Sequence, residues 1–337
     1  MAIRALLPFV LLLASSASLL AATPAERLVR RPSDWFTSEE GKQTLNHVLA
    51  WQTKHGDWPK NVDTTKPVPA AETRPNGTFD NGATVGELRL LAKAYRITQD
   101  PRYRDAFLAG FDHILAAQYA NGGWPQYYPL NNKYNRYVTF NDWSMIRLMI
   151  LLKDAATEND FAWLDESRRR QASEAVARGI DCIIKCQVVV DGKRTVWCAQ
   201  HDEVTLAPAK ARTFELVSLS GGESEGILTF LMRLEDPSPE VIAAVEAGVA
   251  WYETSKITGF HYQKADGERR LTADPMASPL WARFYEIETN RPIFCGRDGV
   301  KKYDVMEIDA ERRNGYAWYG NWGEDVADAY RKWPHKN

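Results

Sequence analysis

Leu115-Ala116-Ala117-Gln118 is an apolar helical run that ends in glutamine, and Gly122-Gly123-Trp124-Pro125 follows it. The same order stands 66 residues earlier as Leu49-Ala50-Trp51-Gln52 and Gly56-Asp57-Trp58-Pro59. A looser third copy runs Ile184-Lys185-Cys186-Gln187, then Gly192 and Trp197-Cys198. Self-similarity at so long a period marks a repeated supersecondary unit, and the unit sets the architecture.

Each unit holds one strongly apolar helix and one amphipathic helix. Leu88, Leu91, Ala92 and Tyr95 form an i, i+3, i+4, i+7 stripe. Residues 143–152 are apolar nearly all round, as in a helix buried on most sides, and 227–234 is the third such segment. The amphipathic partners carry Phe107, Phe111 and Ile114, then Ala172, Val176 and Ile183, then Val241, Val245 and Tyr252. Asp100-Pro101 and Ser238-Pro239 place a capping side chain before a first-turn proline. Buried helices alternating with amphipathic ones predict an all-α fold of inner and outer rings, an (α/α) toroid.

A topological consequence follows for function. In an up-and-down arrangement the short links 98–100 and 235–238 share one face. The long loops 53–85, 119–142 and 188–222 then share the other. Trp58, Asp80, Trp124, Asp142, Trp197 and Arg212 are expected to converge there. Asp80 and Asp142 each precede an inner helix, and singly they read as N-caps. Together they are two carboxylates beside a basic loop, and oxygen donors of this kind suit Ca²⁺. Capping and metal binding are compatible, since each carboxylate has two oxygens. Trp58, Trp124 and Tyr127 read as sugar platforms or as packing plugs.

Composition narrows the partners. Net charge is −2 over 337 residues, so no global field steers the chain toward nucleic acid. An acidic ligand must be gripped by local arginines and lysines. Residues 1–22 read as an export signal: Arg4, an apolar core from Ala5 to Leu13, then a small-residue tract to Ala22. That core is too short to span a bilayer. The expectation is a secreted or periplasmic protein, with residues 23–337 as a single domain, monomeric and free of the membrane. Export permits disulfides among Cys182, Cys186, Cys198 and Cys295, with three pairings open.

The longest loop carries the sharpest signal. Residues 197–226 read WCAQHDEVTLAPAKARTFELVSLSGGESEG, without helical or strand periodicity, and ordered loops of this length usually carry function. His201-Asp202-Glu203 reads as scaffold. Lys210-Ala211-Arg212-Thr213-Phe214-Glu215, followed by Ser220-Gly221-Gly222-Glu223-Ser224-Glu225, resembles the segment of family-ten pectate lyases that holds their catalytic arginine. The resemblance spans Trp51 to Trp322. It includes Asp80 in TFDNGAT, Asp142 in TFNDWSM, Arg283 in LWARFYE and Arg297 in FCGRDG, with NGGWPQYYP and GRDGVKKYD as long, specific strings.

The resemblance implies a threefold toroid and calcium-assisted β-elimination of α-1,4-polygalacturonate (pectate), giving 4,5-unsaturated products. It implies Arg212 and Asp80 as catalytic, Asp80 and Asp142 as Ca²⁺ ligands, and Arg283 and Arg297 as carboxylate binders. Lys210, Trp124 and Tyr127 join the expected substrate contacts. Free guanidinium is effectively always protonated, so by itself Arg212 reads as a structural or carboxylate-binding residue. For it to act as a base, positive neighbours and burial are expected to lower its pKa, and activity is expected to rise toward alkaline pH. The rival readings are a glycoside hydrolase, pairing Asp80 with Glu223 or Asp142, and a uronate-binding protein without turnover.

Overall fold

The computed structural model describes residues 22–70, 75–131 and 133–336. The export segment read at 1–22 lies outside them, apart from Ala22. Eleven helices are described: α1 Pro24–Leu28, α2 Ser33–Thr37, α3 Glu39–Trp51, α4 Val85–Thr98, α5 Pro101–Ala117, α6 Ser144–Thr157, α7 Glu166–Cys186, α8 Glu223–Leu231, α9 Pro239–Thr254, α10 Ala310–Asn314 and α11 Trp322–Lys332. The chain is an (α/α) toroid. Helices α4, α6 and α8 touch one another as the inner ring, while α5, α7 and α9 touch one another outside them. All nine residues of α8 are buried, as are Met145, Ile146, Leu148, Met149, Leu151 and Leu152 of α6. At the ends of the ring α1 packs on α4, and α11 packs on α8 and α9. Among the described residues no helix is long and apolar enough to cross a membrane.

The repeated motif is a joint between successive outer helices. Gln52 stands at the C-cap of α3, and its Nε2 donates to Gly56 O at 2.9 Å and to Ala106 O of α5 at 2.8 Å. Gln118 does the same from α5, to Gly122 O at 3.0 Å and Ala175 O of α7 at 2.8 Å. Gln187 reaches Thr195 O and Ala244 O of α9, both at 2.9 Å, so the third copy keeps the device with a longer loop. The glycines are required. Gly56 and Gly122 sit at φ of +96° and +91°, and a Cβ on Gly122 would meet Arg178 O at 2.0 Å. Gln118→Ala leaves two buried carbonyls without this donor, so we expect a loss of about 2 kcal/mol in denaturant unfolding. A shift under about 0.5 kcal/mol would show that the joint is dispensable.

The tryptophans of the motif face inward. Trp58, Trp124 and Trp197 are all fully buried. Their Nε1 groups donate to Val48 O, Ile114 O and Ile183 O, each on the outer helix that precedes the loop. Asp100 and Ser238 cap α5 and α9, as their Asp-Pro and Ser-Pro signatures predict. The strands are short two-stranded ladders between loops, except for a hairpin of 260–265 with 268–273 that turns through Asp266-Gly267, both at positive φ. No disulfide is present among the described residues, and all four cysteines are buried free thiols.

Candidate active site

Asp80 and Asp142 sit in equivalent places, each in a single 3₁₀ turn just before an inner helix. Each turn contains a non-glycine residue in left-handed conformation, Asn81 at φ 54° and Asp142 at φ 49°. That backbone turns the carboxylates away from the helix ends, so neither caps its helix, contrary to the capping reading. Lys60 donates to Asp80 Oδ2, and Asn81 N–H reaches Oδ1 at 3.0 Å. Arg283 Nη2 donates to Asp142 Oδ1 at 2.9 Å and to Glu223 Oε1. Burial raises the Asp80 pKa above the usual carboxylate range, and neighbouring Asp142 adds to this against Lys60.

Tertiary hydrogen bonds bring these turns together. Phe79 N–H and Thr78 Oγ1 donate to Gln126 O, and Ser144 Oγ donates to Phe79 O at 2.9 Å. Val138 and Thr139 pair with His201 and Gln200, while Leu219 and Ser220 pair with Tyr285 and Phe284. The second ladder carries Arg283 to the start of α8, where Ser220 bonds both Glu223 and Arg283 O. Burial works against the Arg283 charge, but Glu223, Tyr316 and Asp142 outweigh it and hold its pKa well above normal.

A second cluster surrounds two aromatic rings. Phe214 and Tyr316 meet edge-on at 5.7 Å. Arg283 and Arg312 lie over Tyr316 at 4.6 and 4.7 Å; Arg212 and Arg312 lie over Phe214 at 4.8 and 4.2 Å. Arg297 stands 6.0 Å from the Phe214 ring, exposed and paired twice with Glu311 at 2.9 Å. Tyr134 links the two clusters, since the charges of Arg212, Glu215, Lys60 and Asp80 all reach it.

Arg212 departs from its expected electrostatics. Its Nε donates to Glu215 Oε2 at 2.8 Å and its Nη2 donates to Oε1, while Tyr316 OH also donates to Oε1 at 2.9 Å. This ion pair raises the Arg212 pKa above its ordinary value, against burial. The reason is local: a carboxylate three residues along the same loop outweighs the more distant arginines. The Arg212 side chain is still 41% exposed, so a ligand has access to it.

Two further expectations need placing. Trp124 is a sealed packing plug and leaves the list of substrate contacts, because no face of its ring meets solvent. Tyr127 is half-buried, with its ring 6.0 Å from Lys60 Nζ, and so adjoins the Asp80 end of the cleft. Lys210 is exposed on the loop, within electrostatic reach of Cys295. His201 is structural. Its Nε2 accepts from Cys198 N–H, so Nδ1 carries the proton and donates to Leu206 O at 2.8 Å, and burial lowers its pKa to about 4. Lys60, Tyr134, Arg312 and Tyr316 escaped the sequence reading, since each is an ordinary polar residue in a loop or short helix with no spacing signal.

Residues 52–327 match the pectic acid lyase family. The chain belongs to the pectic acid lyase family. It is an enzyme of the polysaccharide lyase class. Among solved structures it resembles a family 10 polysaccharide lyase from Cellvibrio cellulosa, at 36% identity and a TM-score of 0.80 over 90% of this chain and 96% of that one. An aspartate-to-alanine mutant of a family 10 lyase from Cellvibrio cellulosa, in complex with trigalacturonic acid, matches at 34% identity and a TM-score of 0.82. That match covers 94% of this chain and 99% of the other. No curated protein sequence matches.

The donor set bears on a metal. Among the described residues no group of three or more His, Cys, Asp or Glu side chains is arranged to hold one. Two carboxylates do stand together, and Asn141 Oδ1, on the same turn as Asp142, is buried without a hydrogen-bond partner. An all-oxygen set with few protein ligands fits a hard cation whose shell is completed by substrate and water.

Proposed function

We propose that this enzyme is an exported, single-domain pectate lyase that cleaves α-1,4-linked polygalacturonate by calcium-assisted β-elimination, with Arg212 as the base. The observation that carries the reading is the row of arginines 212, 283 and 297 around the Phe214–Tyr316 pair, beside the two-aspartate turns. A hydrolase acting through two carboxylates has no need of such a row. The trigalacturonic acid bound by the structural relative supports the same substrate class.

In elimination, a base takes the C5 proton of the uronate. The C5–H electrons form the C4–C5 double bond, and the C4–O glycosidic bond breaks. The departing oxygen collects a proton from solvent. Negative charge develops on the carboxylate beside C5, so cations there stabilise the transition state. Arg283 and Arg297 supply fixed guanidinium forks, which suit bidentate carboxylate binding. Asp80 and Asp142 would hold Ca²⁺, which contributes Lewis-acid neutralisation of the substrate carboxylate when bound. Arg212 would act as the base in its proton-free form, which requires its ion pair with Glu215 to open. The base form is scarce near neutrality, so activity rises toward alkaline pH.

The test is ultraviolet absorbance of unsaturated uronide on polygalacturonate at alkaline pH, with calcium and then with a chelator. We expect a rise that chelation stops and added calcium restores. Reducing ends without absorbance would mean hydrolysis, and neither signal alongside measurable binding would mean a uronate-binding protein.

A further inference from the structure

Arg312 is the one arginine of the aromatic cluster for which no carboxylate ion pair is present among the described residues. Arg212 pairs with Glu215, Arg283 with Asp142 and Glu223, and Arg297 with Glu311. Arg312 is only 7% exposed, and its guanidinium lies over the Phe214 and Tyr316 rings. Its Nη2 donates to Gly315 O at 3.2 Å, and its Nε is buried with no partner. The next residue shows the contrast. Arg313, equally buried and likewise with an unpartnered Nε, donates to Ile308 O but pairs with Glu268, as a structural arginine does. A buried charge left without a counter-ion is costly, and such sites cluster where function needs them.

We infer that Arg312 is a positioning residue, a buried cation with no ion pair among the described residues, behind the Phe214–Tyr316 pair, that biases Arg212 toward its proton-free form during turnover. The inference rests on Arg212 being the base, as proposed above. Phe214 is the shared element, since Arg212 and Arg312 contact the same ring at 4.8 and 4.2 Å. The groups facing Arg212 are Glu215, Tyr316, Tyr134, Arg312 and Arg297. Only Glu215 holds it strongly protonated. Apart from Glu215 and the two tyrosines, the charged groups near Arg212 are Arg312 and Arg297, and Arg312 is the one that burial keeps from being screened. Burial also lowers the pKa of Arg312 itself, with Arg297 and Arg212 adding to the effect and Glu311 and Tyr316 opposing it.

The experiment is the pH profile of kcat on polygalacturonate for wild type, Arg312→Met, Arg312→Gln and Arg312→Lys, with Arg212→Ala as reference. Removing a positive neighbour raises the pKa of Arg212, so the rising alkaline limb moves to higher pH. We expect a move of about one unit in the two neutral variants, and so kcat about tenfold lower at a fixed pH on the limb. KM is expected to stay within about twofold, because Arg312 is buried against the Phe214 and Tyr316 rings. Arg312→Lys restores the limb. Should the neutral variants not fold, Arg312→His serves instead, since its imidazole is neutral on the alkaline limb and so moves the limb in the same direction. An unmoved limb with a raised KM or lowered stability would overturn the inference and leave Arg312 structural. If Arg212→Ala is inactive and the limb stays in place, only this inference fails. An active Arg212→Ala sinks the base assignment beneath it.

Discussion

Arg212→Ala is expected to lower kcat on polygalacturonate by about a thousandfold or more while leaving substrate binding within a few fold. The separation follows from the geometry. In the proposed scheme carboxylate recognition falls to Arg283 and Arg297, which reach the cluster from other segments and are paired there with Asp142 and Glu311. The variant should fold, because the Arg212 side chain is partly exposed and its loop is anchored elsewhere. Glu215 stays bonded to Tyr316, and Ala211 N–H reaches Glu215 O at 3.1 Å. Binding is checked by calorimetry with a short oligogalacturonate, and turnover by absorbance of the unsaturated product. Full activity would refute the base assignment. Parallel loss of binding and turnover would make Arg212 a recognition residue.

Arg283→Met is expected to cost about 3–5 kcal/mol of stability and most of the activity. Arg283 is 8% exposed and bonds both Asp142 and Glu223, the latter only 2% exposed. Removing one partner of a buried pair leaves the other charges uncompensated, and that desolvation accounts for most of the cost. Here two carboxylates are stranded on facing elements, one before α6 and one at the start of α8. The expected fall in Tm is on the order of 10 °C. Adding Glu223→Gln should recover part of the loss, because the charge left behind is then smaller and the two changes share one interaction. A fall under about 1 kcal/mol in the single variant, or strict additivity in the double, would show that solvent or rearrangement compensates the site.

The helices were readable because burial periodicity is local. The stripe from Leu88 to Tyr95 and the apolar run of α6 state which faces meet, and Asp100-Pro101 and Ser238-Pro239 mark where two outer helices begin. Strand ladders were not readable, because pairs such as Ser220 with Phe284 are two residues long and join loops more than 60 residues apart. The place of the two aspartates before inner helices was legible, but the capping reading of them was not borne out. Capping is the ordinary use of Asp before a helix, and only the left-handed turns at Asn81 and Asp142 turn the carboxylates elsewhere. Trp124 was assigned to sugar because Gly-Trp-Pro specifies a loop, whereas the direction of the ring depends on the helix it packs beneath. The Glu215 partner of Arg212 was hidden for a similar reason: residue types state which charges exist and not how close they stand.

The sequence by itself determined the ring of alternating helices, the Gln-Gly-Trp joints between them, and the arginine and carboxylate types that a uronate lyase needs. Those are properties of periodicity and residue chemistry over short spans. Tertiary structure alone decided which charges are paired. It set Arg283 between Asp142 and Glu223, closed Glu215 onto Arg212, and left Arg312 buried with no ion pair among the described residues. Electrostatic energy depends on distance and local dielectric, and both are set by chain segments that meet only when the fold closes.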